Sequence, residues 1–112
     1  MSKVKRKLTT ILATDCVGFS KRMDENEELT LENLKACRSI IDPQIKEFGG
    51  RIFYTAGDSV IAEFESPVEC VNAAIGFQKA INDRNNTLPE ESQLDWRVGI
   101  HLDDVIIAVS YT

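Results

Sequence analysis

Histidine is nearly absent from this chain. There is one, His101, and the three cysteines, Cys16, Cys37 and Cys70, are an odd number with no C-x-x-C spacing. A disulfide framework is therefore unsupported, and so is a zinc centre, which needs clustered thiolate and imidazole ligands. No apolar run approaches transmembrane length, and the basic start MSKVKRK leads into no apolar stretch long enough for a signal peptide. Cations are also in deficit: 13 Lys and Arg stand against 18 Asp and Glu, a formal charge of -5. A general nucleic-acid binder needs a basic face to neutralise phosphates, so the charge argues against that class. Internal repeats and low-complexity segments are missing too. These absences point to a cytoplasmic protein with no transmembrane segment and no nucleic-acid partner. A small anionic ligand remains open if metal ions bring it in.

What is present is an ordinary globular composition, 43% apolar and 28% charged over 112 residues, enough for one domain with a single modest core. Residues 1–6 read as a basic leader and 7–112 as the domain. From Lys7 to Ala13 the chain is β-branched and apolar, a first strand. Thr30 is placed to cap a helix whose apolar residues Leu34, Cys37, Ile41, Ile45 and Phe48 recur every three or four positions. Pro43 predicts a kink or restart near Ile41, and Gly49-Gly50 ends the helix.

The segment RIFYTAGDSVIAEF holds two β-prone runs around Gly57-Asp58, a hairpin signal. Ser66, Pro67 and Glu69 form a capping box with the favoured proline. The helix they open is expected to run to about Asn82 with Val68, Val71, Ile75 and Ile81 facing inward. LDWRVGIHL reads as a fourth strand and DDVII as the start of a fifth. The order β-α-β-β-α-β predicts an α+β, ferredoxin-like core, an antiparallel sheet with both helices on one face. A barely formed last strand would leave an edge to be covered by a partner, or an incomplete domain.

Two acids sit at turns of that sheet, Asp15 after strand one and Asp58 in the hairpin. In this topology strand one lies centrally beside strand three, so acids 43 positions apart in sequence fall at the same edge. Taken singly, Asp15 is explained as a helix cap and Asp58 as a turn residue. Taken together, they form a hard oxygen pair suited to Mg²⁺ or Mn²⁺. Two such ions activate an attacking hydroxyl and stabilise a leaving pyrophosphate. Gly18-Phe19-Ser20 adds a glycine turn into a short helix, whose backbone N–H groups suit phosphate.

The stretches ILATDCVGFSKRM, FGGRIFYTAGDSVIAEFESPVECVNAAIGFQKAI and WRVGIHLDDVI resemble, in order, the first half to two-thirds of a class III nucleotidyl cyclase domain. The resemblance implies a βαββαβ core and a head-to-tail dimer with sites at its interface, as a homodimer or as a heterodimer with a complete cyclase domain. It implies cyclisation of ATP or GTP to a 3′,5′-cyclic nucleotide plus pyrophosphate, cAMP favoured over cGMP. By the same resemblance Asp15, Asp58 and the Cys16 backbone carbonyl are ligands of two Mg²⁺ or Mn²⁺ ions. Gly18, Phe19 and Ser20 hold the triphosphate, and Gly57 is the small residue that brings Asp58 close.

Three departures stand beside these matches. Tyr54 occupies the base-proximal place of a lysine in a K-T-x-G-D pattern. It can donate a hydrogen bond, stack, or simply pack on its strand. HLDDV replaces HLGDV, putting Asp103 where a turn glycine is usual. The family's G-x-x-V-N-x-A-x-R segment, with its ribose-orienting Asn and charge-stabilising Arg, has no counterpart after Ile107. A C-terminally truncated domain is the expectation, with the final strand missing and weak or no activity alone. The alternative is a catalytically deficient nucleotide-binding or dimerisation module that regulates a cyclase.

Overall fold

The computed structural model describes residues 2–110 of the backbone and the side chains of residues 8–102. Its four-stranded sheet has the order β2-β3-β1-β4, with every neighbouring pair antiparallel. The strands are β1 (Ser2–Cys16), β2 (Arg51–Ala56), β3 (Ser59–Phe64) and β4 (Trp96–Ser110). Helices α1 (Phe19–Glu25) and α2 (Glu27–Glu47) follow β1, and α3 (Pro67–Asn85) links β3 to β4 with one 3-10 turn, Glu90–Ser92. This is the expected α+β arrangement with β1 beside β3. Among the described residues no helix is long and apolar enough to cross a membrane.

Side-chain alternation divides the sheet. Leu12, Thr14 and Cys16 of β1 and Val60, Ala62 and Phe64 of β3 are buried, and the register pairs Leu12 with Ala62 and Thr14 with Val60. They form the floor on which Cys37, Ile41 and Ile45 of α2 and Phe77 and Ile81 of α3 close the core. Leu34 and Phe48 pack partly against it, so the apolar stripe read for α2 faces the core.

Four details depart from expectation. Asn26, not Thr30, caps α2, its side chain accepting from the Leu29 N–H at 3.1 Å. Thr30 lies inside the helix, and its hydroxyl donates to the Arg22 carbonyl at 2.9 Å, tying α1 to α2. Pro43 sits within α2, which continues as one helix of 21 residues. The buried Ile41 and Ile45 anchor the helix on both sides of Pro43.

On α3, Ser66 caps as expected, accepting from the Glu69 N–H at 3.2 Å. The inward face is different. Cys70, Ala73, Ala74, Phe77 and Ile81 are buried, whereas Val68 (66%), Val71 (43%) and Ile75 (60%) are exposed. The physical reason is helix phase: Cys70, Ala73, Ala74, Phe77 and Ile81 recur at three- and four-residue spacing along one side of α3, and Val68, Val71 and Ile75 fall on another. Finally, DDVII starts no fifth strand and Asp103 makes no turn. β4 runs unbroken and pairs with β1 from Trp96 opposite Cys16 to Ser110 opposite Ser2. The side chains of Asp103 and Asp104 lie outside the described residues.

Candidate functional site

The hairpin between β2 and β3 closes in two residues. Gly57 takes φ 57°, a left-handed conformation that favours glycine, and Ala56 pairs with Ser59 across the turn. This tight reversal carries Asp58 to the end of β1, where its Oδ2 accepts the Cys16 backbone N–H at 2.9 Å. The two acids singled out in the sequence thus meet through one peptide unit. Thr14 and Cys16 point toward the helices, so Asp15 between them points to the opposite, open face of the sheet.

Directly after Cys16 the chain turns. Val17 donates its N–H to the Asp95 carbonyl at 2.8 Å, Gly18 adopts φ 65°, and α1 begins, with the Arg22 N–H returning to the Gly18 carbonyl at 3.1 Å. Asp15, Cys16, Gly18, Phe19, Ser20 and Asp58 line one cavity of about 520 Å³, together with Lys21, Ser59 and Arg97. Every acid and turn residue expected at the site is therefore brought together. Tyr54 is not among the lining residues; it is a half-exposed residue of β2, paired in register with Ile61.

Sequence reading missed Lys21, Ser59 and Arg97, and of these Arg97 is paired with an expected site residue. It stands opposite Asp15 in the β1–β4 register, and its Nε donates to Asp15 Oδ1 at 2.8 Å. The antiparallel pairing of the two strand ends was its only sequence signal. Hydrogen bonding and charge attraction from Asp15 raise the Arg97 pKa above its usual value. The Cys16 thiol is pushed up to about 12, first by burial and then by the Asp58 carboxylate, so Cys16 is a neutral thiol and contributes only its main chain. A second hollow of about 390 Å³ adjoins the cavity, sharing Asp15, Ser59 and Arg97 and floored by Ala13, Ile61, Val98 and Gly99.

A divalent cation fits this donor set. The hydrogen bonds engage Asp15 Oδ1 and Asp58 Oδ2, and among the described residues the other oxygen of each carboxylate has no protein donor. No group of three or more His, Cys, Asp or Glu side chains gathers among the described residues. Coordination would have to be completed by main-chain, water or phosphate oxygens, as hard cations accept.

No family model matches the chain. It is 36% identical over 105 residues to "Putative adenylate cyclase 3" of Rhizobium meliloti, an alignment covering 93% of this chain and 18% of that protein. It is 30% identical over 106 residues to "Serine/threonine-protein kinase pkn2" of Myxococcus xanthus, covering 94% and 13%. Among solved structures, an adenylate/guanylate cyclase/hydrolase from Silicibacter pomeroyi superposes with a TM-score of 0.83 at 33% identity, covering 94% of this chain and 62% of that one. The chain thus spans under a fifth of these curated relatives and about three-fifths of the solved one.

Proposed function

Since the chain belongs to the class III adenylate/guanylate cyclase homology-domain family, we propose that it forms the metal- and triphosphate-binding part of a nucleotide cyclase. The reaction converts a purine nucleoside triphosphate to a 3′,5′-cyclic nucleotide and pyrophosphate. The ribose 3′-oxygen bonds to the α-phosphorus, the bond from that phosphorus to the bridging oxygen breaks, and pyrophosphate departs. The adenylate cyclase likeness favours ATP, and hence cAMP. One observation carries the reading: the Cys16 N–H to Asp58 bond that places both acids in a single cavity with the Gly18 turn.

Asp15, Asp58 and the Cys16 carbonyl would hold two Mg²⁺ or Mn²⁺ ions. When bound, such ions activate the attacking hydroxyl and neutralise the leaving pyrophosphate. The chain's own part is positioning and charge. Backbone N–H groups of Gly18, Phe19 and Ser20, with the Lys21 ammonium beside them, would cradle the triphosphate, and the fixed hairpin keeps Asp58 from drifting. Ribose-orienting and charge-stabilising groups would come from a complete cyclase domain arranged head to tail with this one in a heterodimer, in the cytoplasm; a homodimer of these residues would hold metal and triphosphate without them.

The test is to incubate the chain with ATP or GTP and Mn²⁺, alone and mixed with a domain bearing the G-x-x-V-N-x-A-x-R segment, and to assay cyclic nucleotide. Product in the mixture, with little from the chain alone, is the expected result. Failure in both, with no metal or nucleotide binding, would sink the proposal. Tyr54, outside the cavity lining, favours a second reading, a non-catalytic module that binds triphosphate and alters the activity of a partner cyclase. Nucleotide binding with no product in either mixture would select it.

A further inference from the structure

We propose that the free edge of β4 is a self-association surface, on which a second copy of this chain docks its own β4 antiparallel about a two-fold axis at Ile100. The sheet has two edges, β2 and β4, and they are built differently. On β2 the charged Arg51 and a register irregularity between Ile52 and Tyr54 interrupt the edge, and these are devices by which proteins block strand addition. β4 pairs with β1 in unbroken register, and its run from Val98 to Leu102 has no lysine, proline or bulge.

The Val17 N–H donates to the Asp95 carbonyl at 2.8 Å and the Thr14 hydroxyl to the Arg97 carbonyl at 2.7 Å, so odd-numbered residues turn toward β1. The Trp96 carbonyl turns outward and accepts Gln78 Nε2 of α3 at 2.7 Å. Alternation then leaves the N–H and C=O groups of Val98, Ile100 and Leu102 on the open edge. Their side chains lie on the helix-bearing side, where Ile100 and Leu102 are 37% and 57% exposed. Val71 and Ile75 of α3, exposed on the same helix face as Gln78, continue that apolar surface.

A second copy fits because a two-fold contact needs a self-complementary surface. Centring the axis on Ile100 pairs Val98 with the second copy's Leu102, and Leu102 with its Val98, so apolar side chains meet on one face. The same register sets Arg97 opposite the second copy's Asp103, and opposite charges across a ladder are favourable. A ladder from Val98 to Leu102 spans only roughly 17 Å, so the dimer belongs to the weak class of interfaces. It differs from the head-to-tail arrangement, whose interface carries the sites, and it needs neither metal nor nucleotide.

Sedimentation velocity of the wild type without metal or nucleotide, from about 5 to about 500 µM, should show a rising sedimentation coefficient, as a weak interface requires. Leu102→Lys puts a charge into the contact from both copies and should weaken association roughly tenfold or more, with an unchanged circular-dichroism spectrum because the side chain is exposed. Ile100→Pro removes only an outward N–H, which an edge strand tolerates, and should act the same way. Diamide, which oxidises two thiols to a disulfide and is itself reduced, should cross-link Ile100→Cys to its own copy. The same treatment should leave Phe53→Cys, exposed on the β2 edge, monomeric. A wild type that stays monomeric throughout, association that Leu102→Lys retains, or equal cross-linking at the two edges would overturn the proposal.

Discussion

The helix-covered face of the sheet and the cavity at the end of β1 are built on opposite terms. On the covered face Leu12, Phe64, Ile41, Ile45 and Phe77 are wholly or almost wholly buried, and each position asks for volume and apolarity. In the cavity, charged groups are held by one backbone hydrogen bond to Asp58 and one exposed ion pair to Asp15. Packing there is slight, and every residue type matters. The two regions meet at Cys16, whose side chain belongs to the core and whose N–H belongs to the site, and at Phe19, which lines the cavity and packs against the core. Stability and chemistry should therefore separate when each region is perturbed alone.

The largest effect belongs to the core. Phe77→Ala should cost about 3–5 kcal/mol through lost burial and a residual cavity, read as a lower urea midpoint, while the Mn²⁺ affinity of the folded protein stays unchanged. Parallel loss of both would dissolve the distinction. Alkali attacks the same core through its thiols. Burial pushes Cys16 to about 12 and Cys70 to about 11 from an ordinary 9.0, and raises Cys37 as well. The folded state then keeps these protons more tightly than the unfolded one. Their contribution is full below pH 9 and falls away as pH rises from about 9 toward 12. Urea midpoints across this range should decline, and Cys16→Ala should make the decline shallower.

Gly57→Val tests the boundary between the regions. At φ 57° a β-branched side chain is strained by about 1–2 kcal/mol, and any shift of the turn moves Asp58. A modest stability loss should come with weaker Mn²⁺ binding. Retained Mn²⁺ affinity would show that the hairpin does not position the acid. The smallest effect is expected at Ile75→Ser. Although Ile75 is a large apolar residue, it is 60% exposed, and its loss should change stability by no more than about 0.5 kcal/mol.

Ile75 also marks where sequence legibility stopped. The hairpin, the Ser66 cap, the α2 stripe and the meeting of Asp15 with Asp58 were all readable, because each rests on local chemistry or on a topology fixed by element order. The inward face of α3 was not. Reading by side-chain size selects Val68, Val71 and Ile75, while the helix buries the neighbouring stripe of Cys70, Ala73, Ala74, Phe77 and Ile81, where small residues give no hydrophobic signal of their own. Likewise Asp103-Asp104 suggested a break in β4, but backbone pairing with the long β1 carries the strand through them. Arg97 escaped notice because its role depends on strand register, which no local motif announces.

The most direct test of the central claim is Mn²⁺ titration of wild type against Asp15→Asn and Asp58→Asn. Asparagine keeps an amide oxygen able to accept the Cys16 N–H, so the fold should persist, with melting temperatures close to wild type. The account predicts saturable Mn²⁺ binding to wild type that weakens by about tenfold or more in each variant as a charged hard ligand is lost. Equal Mn²⁺ affinity in all three proteins would contradict it.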